Sequence, residues 1–183
     1  LAIIVEAKMS SPQEKEITFS RDELIISKTD VQGKITYANR TFMRVSNYSE
    51  QQLLNQNHNI IRHPSMPRGV FYGLWKTLKF GDEFFGFVKN YTADKNYYWV
   101  FANITPDIMN GKIVGYYSVR RAPEKQAIKV ISQLYSDMMS NELRMNKNEA
   151  PEKSWNGLVE MISQQHQQSY EEFVLALYKQ YQN

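Results

Sequence analysis

Reactive side chains are densest in the run Asn57-His58-Asn59-Ile60-Ile61-Arg62-His63-Pro64-Ser65-Met66-Pro67. Arg62 and His63 stand just ahead of Pro67 to Phe80, where Val70, Leu74, Trp75 and Leu78 recur at helical spacing. Ser65 is the expected N-cap of that helix. A helix N-terminus carries unpaired amide hydrogens and positive potential, so an Arg and a His beside one suit a phosphate or another anion. Taken alone, the run is still better read plainly, with Arg62 solvated, His63 packed and Pro64 setting the helix entry. Three asparagines are more telling. Asn39 follows a short β run, Asn90 lies among Phe84, Phe85, Phe87 and Val88, and Asn103 lies beside Trp99 and Phe101. Asparagine is disfavoured in strands, and an amide facing a cavity can offer donor and acceptor together to the edge of a heterocycle. Alternation alone does not say which of them faces inward. Trp75 is open in the same way, either as a core residue or as a plane on which a flat ring stacks.

Other chemistries find no support. There is no cysteine in the 183 residues, which removes disulfide scaffolds, Cys-based zinc sites, thiol nucleophiles and any flavin–cysteine photoadduct. The histidines, His58, His63 and His166, stand in no metal-ligand spacing with acidic neighbours, and every glycine is isolated, so no phosphate-cradling loop is present. The chain is not expected to be an enzyme. Net charge is only +3 and the basic residues are dispersed, so no nucleic-acid partner is expected. No run approaches the roughly eighteen apolar residues of a spanning helix, so any membrane contact goes through a partner. Leu1 to Lys8, ahead of a plausible start at Met9-Ser10-Ser11, lack the features of a secretory signal and are set aside from the fold argument.

The elements that must position these residues can be read from period and turn chemistry. Leu24–Thr29 and Ile35–Ala38 read as strands joined by a turn at Gly33. Asn39 to Gln56 holds brief helices, with Ser49 and Gln52 set as a capping box, and Gly81 stands where the Pro67–Phe80 helix needs a left-handed cap. Glu83–Tyr91, Tyr97–Ile108 and Lys112–Arg120 read as three further strands, the last pair joined at Asn110-Gly111, the strongest hairpin signal in the chain. The expected fold is α+β: a five-stranded antiparallel sheet with short helices on one face, enclosing a cavity. After Arg121 the texture changes. Ala127, Ile131, Leu134 and Met138 make one helical stripe, Asn146–Ser154 reads as a loop, and Trp155 to Leu177 makes a second stripe whose middle, Gln164 to Gln168, is polar. The organisation is then residues 1–20 as an N-terminal segment, 21–122 as a domain of about a hundred residues and 123–183 as a C-terminal helical hairpin or extension. These helices cover the sheet or form a dimer or transducer interface, with nothing to choose between the two.

Several motifs in order resemble the PAS sensor domain of Aer-type aerotaxis receptors. They are Thr36-Tyr37-Ala38-Asn39-Arg40-Thr41-Phe42, Val45-Ser46-Asn47-Tyr48, Asn59-Ile60-Ile61-Arg62-His63-Pro64, Met66-Pro67 and Leu74-Trp75-Lys76-Thr77-Leu78-Lys79. Gly86-Phe87-Val88-Lys89-Asn90, Tyr97-Tyr98-Trp99-Val100 and Ile113-Val114-Gly115-Tyr116 continue the likeness, which spans about Glu23 to Arg121. The resemblance implies a PAS fold that binds FAD non-covalently and reports redox state to a chemotaxis apparatus. Arg62 and His63 match residues that this family needs for FAD. Asn39, Trp75 and Asn90 match positions lining its flavin pocket, and Ser65, Trp99 and Asn103 complete the candidate cofactor-binding set. Where the family commonly has an acidic residue after Arg-His-Pro, this chain has Ser65. The implied partner is a membrane-bound chemotaxis transducer or its signalling domain, with a homodimer also open, and the implied location is the cytoplasm, at the membrane only through that partner. Redox change would be read out by reorientation of Asn39 or Asn90. Ser65 keeps a second reading in play, a cofactor-free PAS interaction or dimerisation module; a haem bound through His58 or His63 is a third.

Overall fold

The computed structural model describes residues 14–181, and the octet Leu1–Lys8 lies outside them. Strands β1 (Ile25–Asp30) and β2 (Ile35–Ala38) form a hairpin; helices α1 (Arg40–Ser46) and α2 (Glu50–Leu53), a 3₁₀ turn at His58–Ile61 and helix α3 (Arg68–Lys79) follow. Strands β3 (Phe84–Tyr91), β4 (Tyr97–Met109) and β5 (Lys112–Arg121) complete one five-stranded antiparallel sheet in the order β2-β1-β5-β4-β3. The α+β expectation therefore stands, down to its turns. Asn110 and Gly111 both take positive φ, at 51° and 74°, as a tight hairpin of matching twist requires. Ser49 and Gln52 form a complete capping box, and Gly81 is left-handed at φ 89° just past α3.

Between the sheet and α1–α3 lies a core built on Ile25, Ile35, Phe42, Leu53, Val70 and Val100. The side chains of β4 alternate, as the pleat demands. Ala102 and Ile104 face the helices, while Trp99 stacks on Tyr135 and Phe101 lies flat on Tyr178, 4.0 Å away at 8°.

Three expectations need correction. The N-cap of α3 is Pro67, not Ser65, and no side chain of its own segment caps it. Proline sets φ for a helix start but offers no oxygen, and the cap comes from far along the chain. The Glu142 carboxylate accepts the Arg68 and Gly69 amide hydrogens at 2.9 and 2.8 Å. The C-terminal extension also holds three helices, where two stripes were read: α4 (Lys125–Glu142), α5 (Ala150–His166) and α6 (Tyr170–Gln180). The polar run that weakened the second stripe ends a helix. Gln167 turns left-handed at φ 54°, and Ser169 with Glu172 makes a capping box that starts α6. Likewise Asn146–Ser154 is only partly loop, because α5 begins at Ala150 with Pro151 in its first turn.

Candidate functional site

The helices stand off the sheet over β1, β5, β4 and β3, and a cavity of about 340 Å³ fills the gap. Its wall is apolar along Phe71, Leu74, Leu78, Val88, Ala102 and Ile104, with polar groups gathered at Ser27, Asn57, His58, Arg62, Asn90, Ser118 and Arg120. An apolar enclosure with a few convergent polar groups is the usual form of a small-molecule site.

Arg120 dominates its electrostatics. It lies on the inner face of β5 and is 2% exposed, yet no carboxylate pairs with it among the described residues. One terminal nitrogen donates to Ser27 Oγ at 2.5 Å and the other sits 3.4 Å from His58 Nε2. Its guanidinium carbon is 4.4 Å from the Phe42 ring centre, and its Nε is buried with no partner. Burial pulls its pKa down to about 10, which still leaves it charged near neutrality. His58 Nε2 also lies 3.2 Å from Ser27 Oγ, and burial followed by the Arg120 charge pushes its pKa down to about 3, so the ring is neutral. Tyr98 stands opposite Asn90 in the β3–β4 ladder, and its buried hydroxyl is unpartnered. A fixed positive charge with an unsatisfied donor, Arg120 Nε, and a neutral imidazole thus meet in the wall of one cavity. That arrangement suits the edge of a flat, electron-rich heterocycle or an anion.

Arg62, Trp75 and Asn90 line this cavity. The backbones of Arg62 and Asn90 are joined by a β-bridge, and Arg62 stacks over Phe71 with its guanidinium carbon 3.9 Å from the ring centre. Trp75 meets Tyr116 edge-on at 5.4 Å. The other candidates lie elsewhere. Asn39 caps α1: its oxygen accepts from Ile26 N and Phe42 N at 3.1 and 2.9 Å, and its nitrogen donates to Leu24 O at 2.8 Å. Both its side-chain oxygen and its nitrogen are committed to the backbone, and it is not in the cavity lining. Trp99 faces the opposite side of the sheet, against α4, because β4 turns alternate residues outward. By the same parity Asn103 is outside the lining and donates to Glu83 at 2.9 Å.

His63 and Ser65 are also away from the cavity. His63 Nε2 lies 3.0 Å from a Glu14 oxygen, and Ser65 Oγ lies 2.7 Å from Nδ1. Glu14 also accepts from Tyr91, and that bond, followed by the one to His63, holds its carboxyl below the usual range. With both ring nitrogens engaged, His63 is set as a strut between the N-terminal segment and the Arg62 turn, not as an axial ligand. No group of three or more metal-ligating side chains occurs among the described residues, and none of their helices is long and apolar enough to cross a membrane. Sequence reasoning missed Ser27, Ser118 and Arg120 as lining residues. Their one signal was polar residues two apart in a strand, at Ser118 and Arg120.

Comparison with known proteins adds an independent line. Residues 35–120 match the PAS fold. The chain is 40% identical over 138 residues to the aerotaxis receptor of Escherichia coli (strain K12), covering 74% of this chain and 27% of the receptor. It is 37% identical over 98 residues to the nitrogen fixation regulatory protein of Klebsiella pneumoniae, covering 52% and 20%. This chain thus spans about a quarter or less of the length of these relatives. Among solved structures, the PAS domain of a Colwellia psychrerythraea protein shares the fold with a TM-score of 0.51 at 21% identity, covering 54% of this chain and 85% of that one. The light-state structure of the blue-light photoreceptor Aureochrome1 LOV does so with a TM-score of 0.53 at 21% identity, covering 66% and 91%.

Proposed function

The chain belongs to the PAS fold family, with a domain of the aerotaxis-receptor type, and on that premise we propose that it is a cytoplasmic redox sensor that holds FAD non-covalently and signals to a chemotaxis-type transducer. The observation that carries this reading is Arg120, a fully buried cation in an apolar-walled cavity with no anionic partner among the described residues. A buried unpaired charge is costly, and it is retained where a ligand completes it. The flavin ring fits the donor set: flat, apolar on its faces, with carbonyl oxygens and ring nitrogens along one edge. Bound flavin supplies a reversible redox couple whose ring nitrogens change protonation with redox state.

The residues of the chain do the rest. Arg120 keeps positive charge at the polar end of the cavity. His58, held neutral, accepts or donates a hydrogen bond there without adding charge. Asn90 presents an amide that can turn over to match donor or acceptor. Val88, Leu74 and Leu78 exclude water from the faces of the ring. Since Asn39 is committed to capping α1, Asn90 is the amide that can respond. Asn90 shares β3 with Phe87, whose carbonyl accepts from the buried Tyr135 hydroxyl of α4 at 2.8 Å. A change at Asn90 therefore has a short route into the C-terminal helices.

The test is the visible spectrum of the purified protein, with the bound molecule released by denaturation and identified. Two flavin bands and released FAD support the reading, and Arg120→Met is expected to lose the flavin while keeping the fold. A colourless protein that also fails to take up added FAD overturns it in favour of the cofactor-free interaction module.

A further inference from the structure

Arg62 and Asn90, the two lining residues joined by a β-bridge, are braced from outside the cavity by one carboxylate. Residues 15–17 run alongside the start of β4. Tyr97 N donates to Lys15 O at 3.0 Å, Ile17 N donates to Tyr97 O at 2.7 Å, and Lys15 N donates to Asn96 Oδ1 at 3.1 Å. This anchorage brings the half-buried Glu14 over the end of β3. Its carboxylate accepts from the Tyr91 hydroxyl and lies 3.0 Å from His63 Nε2 and 4.0 Å from Lys89 Nζ. Lys89 and Tyr91 flank Asn90 in β3, and a strand alternates its faces, so they meet the N-terminal segment while Asn90 meets the cavity. His63 in turn directly follows Arg62.

The proton pattern at His63 gives this contact its direction. The Ser65 backbone N–H donates to His63 Nδ1 at 3.1 Å, and an N–H can only donate, so Nδ1 is an acceptor. Burial lowers the His63 pKa, which keeps the ring neutral near pH 7, with its single proton on Nε2 and donated to Glu14. The ring is 4% exposed and packs on Tyr91, 4.3 Å between centres. The His63 carbonyl accepts from Met66 N at 3.1 Å, and the Met66 carbonyl accepts from Arg62 Nη2 at 3.4 Å. The turn 62–66 is thus closed on itself, and His63 ties it to a carboxylate 49 residues earlier.

We propose that Glu14 is a positioning residue of the cavity: acting through His63, Lys89 and Tyr91, it holds Arg62 and Asn90 against the bound ligand, so that the N-terminal segment governs how long flavin stays. The proposal rests on the flavin reading above and adds a residue that touches no ligand. Glu14 is outside the cavity lining, so its effect passes through the groups it joins. Without it, a buried imidazole N–H and the Tyr91 hydroxyl lose their acceptor. A buried donor left unpaired is costly, so the turn shifts until another acceptor meets it. Arg62 shifts with the turn, and the loss falls on the rate at which ligand leaves.

The experiment measures the rate at which FAD leaves the loaded protein on dilution, from the rise in flavin fluorescence, together with the ring-nitrogen NMR shifts of His63 in the flavin-free chain. Glu14→Ala is expected to release FAD about tenfold faster and to lose the Nε2-protonated signature of the ring. Glu14→Gln keeps an oxygen for His63 and an amide for Tyr91, and is expected to bring release back to within about threefold of wild type with the signature intact. Glu16→Ala, two residues on in the same segment, serves as the control and is expected to change neither. Release from Glu14→Ala at the wild-type rate, release from Glu14→Gln as fast as from Glu14→Ala, or an unchanged His63 signature in Glu14→Ala would overturn the positioning role while leaving the flavin reading intact. A wild-type chain that takes up no FAD would overturn both.

Discussion

Arg120 sits where the dielectric cost of charge is high, and the groups around it offset only part of that cost. Ser27 and the Phe42 face stabilise the guanidinium, but neither is an anion. Replacing it with Met, close in volume and uncharged, removes the burial cost. Arg120→Met is therefore expected to keep or raise the stability of the flavin-free protein, by about 1–3 kcal/mol, while flavin affinity falls; thermal unfolding with and without flavin checks both signs. His58 makes a pH prediction. Its folded pKa of about 3 lies below its ordinary value, so between pH 6.5 and 3 the unfolded state binds the extra proton. Stability from this residue is fully present above its ordinary pKa and falls as pH drops below it, by up to about 1.4 kcal/mol per pH unit. His63, also shifted down by burial, adds to the same slope. Denaturant titrations at pH 7 and 5 are expected to show this loss, and His58→Gln to show less of it; an unchanged slope in the variant would place the loss elsewhere. Arg62, Trp75 and Asn90 were legible because motif order marked them. Arg120 was not, since Arg120-Arg121 ends a strand with one arginine on each face and only the register with β1 and β4 says which turns inward.

Among the helices, the closest approach at a glycine is between α3 and α5. A Cβ placed on Gly73 would stand 2.4 Å from the Trp155 indole, so glycine here lets the two helices approach, at the cost of helix propensity. Gly73→Ala would gain about 1 kcal/mol in an isolated helix, but the clash with a ring on a neighbouring helix outweighs it. A net loss of about 1–3 kcal/mol is expected, read from the urea midpoint. Trp155→Ala removes the ring instead and is expected to cost about 3–5 kcal/mol through the cavity it leaves. If Gly73→Ala is restored by Trp155→Ala in the double variant, the joint is steric as described. Caps and hairpins were legible locally, as at Ser49, Gly81 and Asn110-Gly111, because each needs only neighbouring residues. The cap on α3 was not. It is lent by Glu142, 73 residues from Gly69, and a helix whose end is satisfied from another helix leaves no local signature.

At the scale of the whole molecule, the question left even by the sequence was whether the helices after Arg121 cover the sheet or remain free for a partner. They cover it. Tyr178 lies on Phe101, Tyr135 on Trp99 and bonded to Phe87, Tyr170 on Phe84, and Glu142 closes the N-terminus of α3. Spacing marks two apolar stripes after Arg121, but an amphipathic face does not name what it meets. With both faces of the sheet and one end of α3 engaged, sensor fold and C-terminal helices share one buried core, and such a core unfolds as a unit. Far-UV circular dichroism and tryptophan fluorescence are therefore expected to report a single, coincident urea transition. Trp155→Ala should shift its midpoint without splitting it, since it loosens the joint without removing the faces that α4 and α6 cover. A chain ending at residue 122 should lose more than helical signal, because Trp99, Phe101 and Phe84 would then face water and α3 would lack its cap; weaker flavin retention and self-association are expected together. Two separated transitions in the full chain, or a truncated chain that stays monomeric and keeps flavin as tightly, would mean the helices are docked passengers. The route from Asn90 through Phe87 to Tyr135 would then carry no signal, and a partner would have to read the sheet directly.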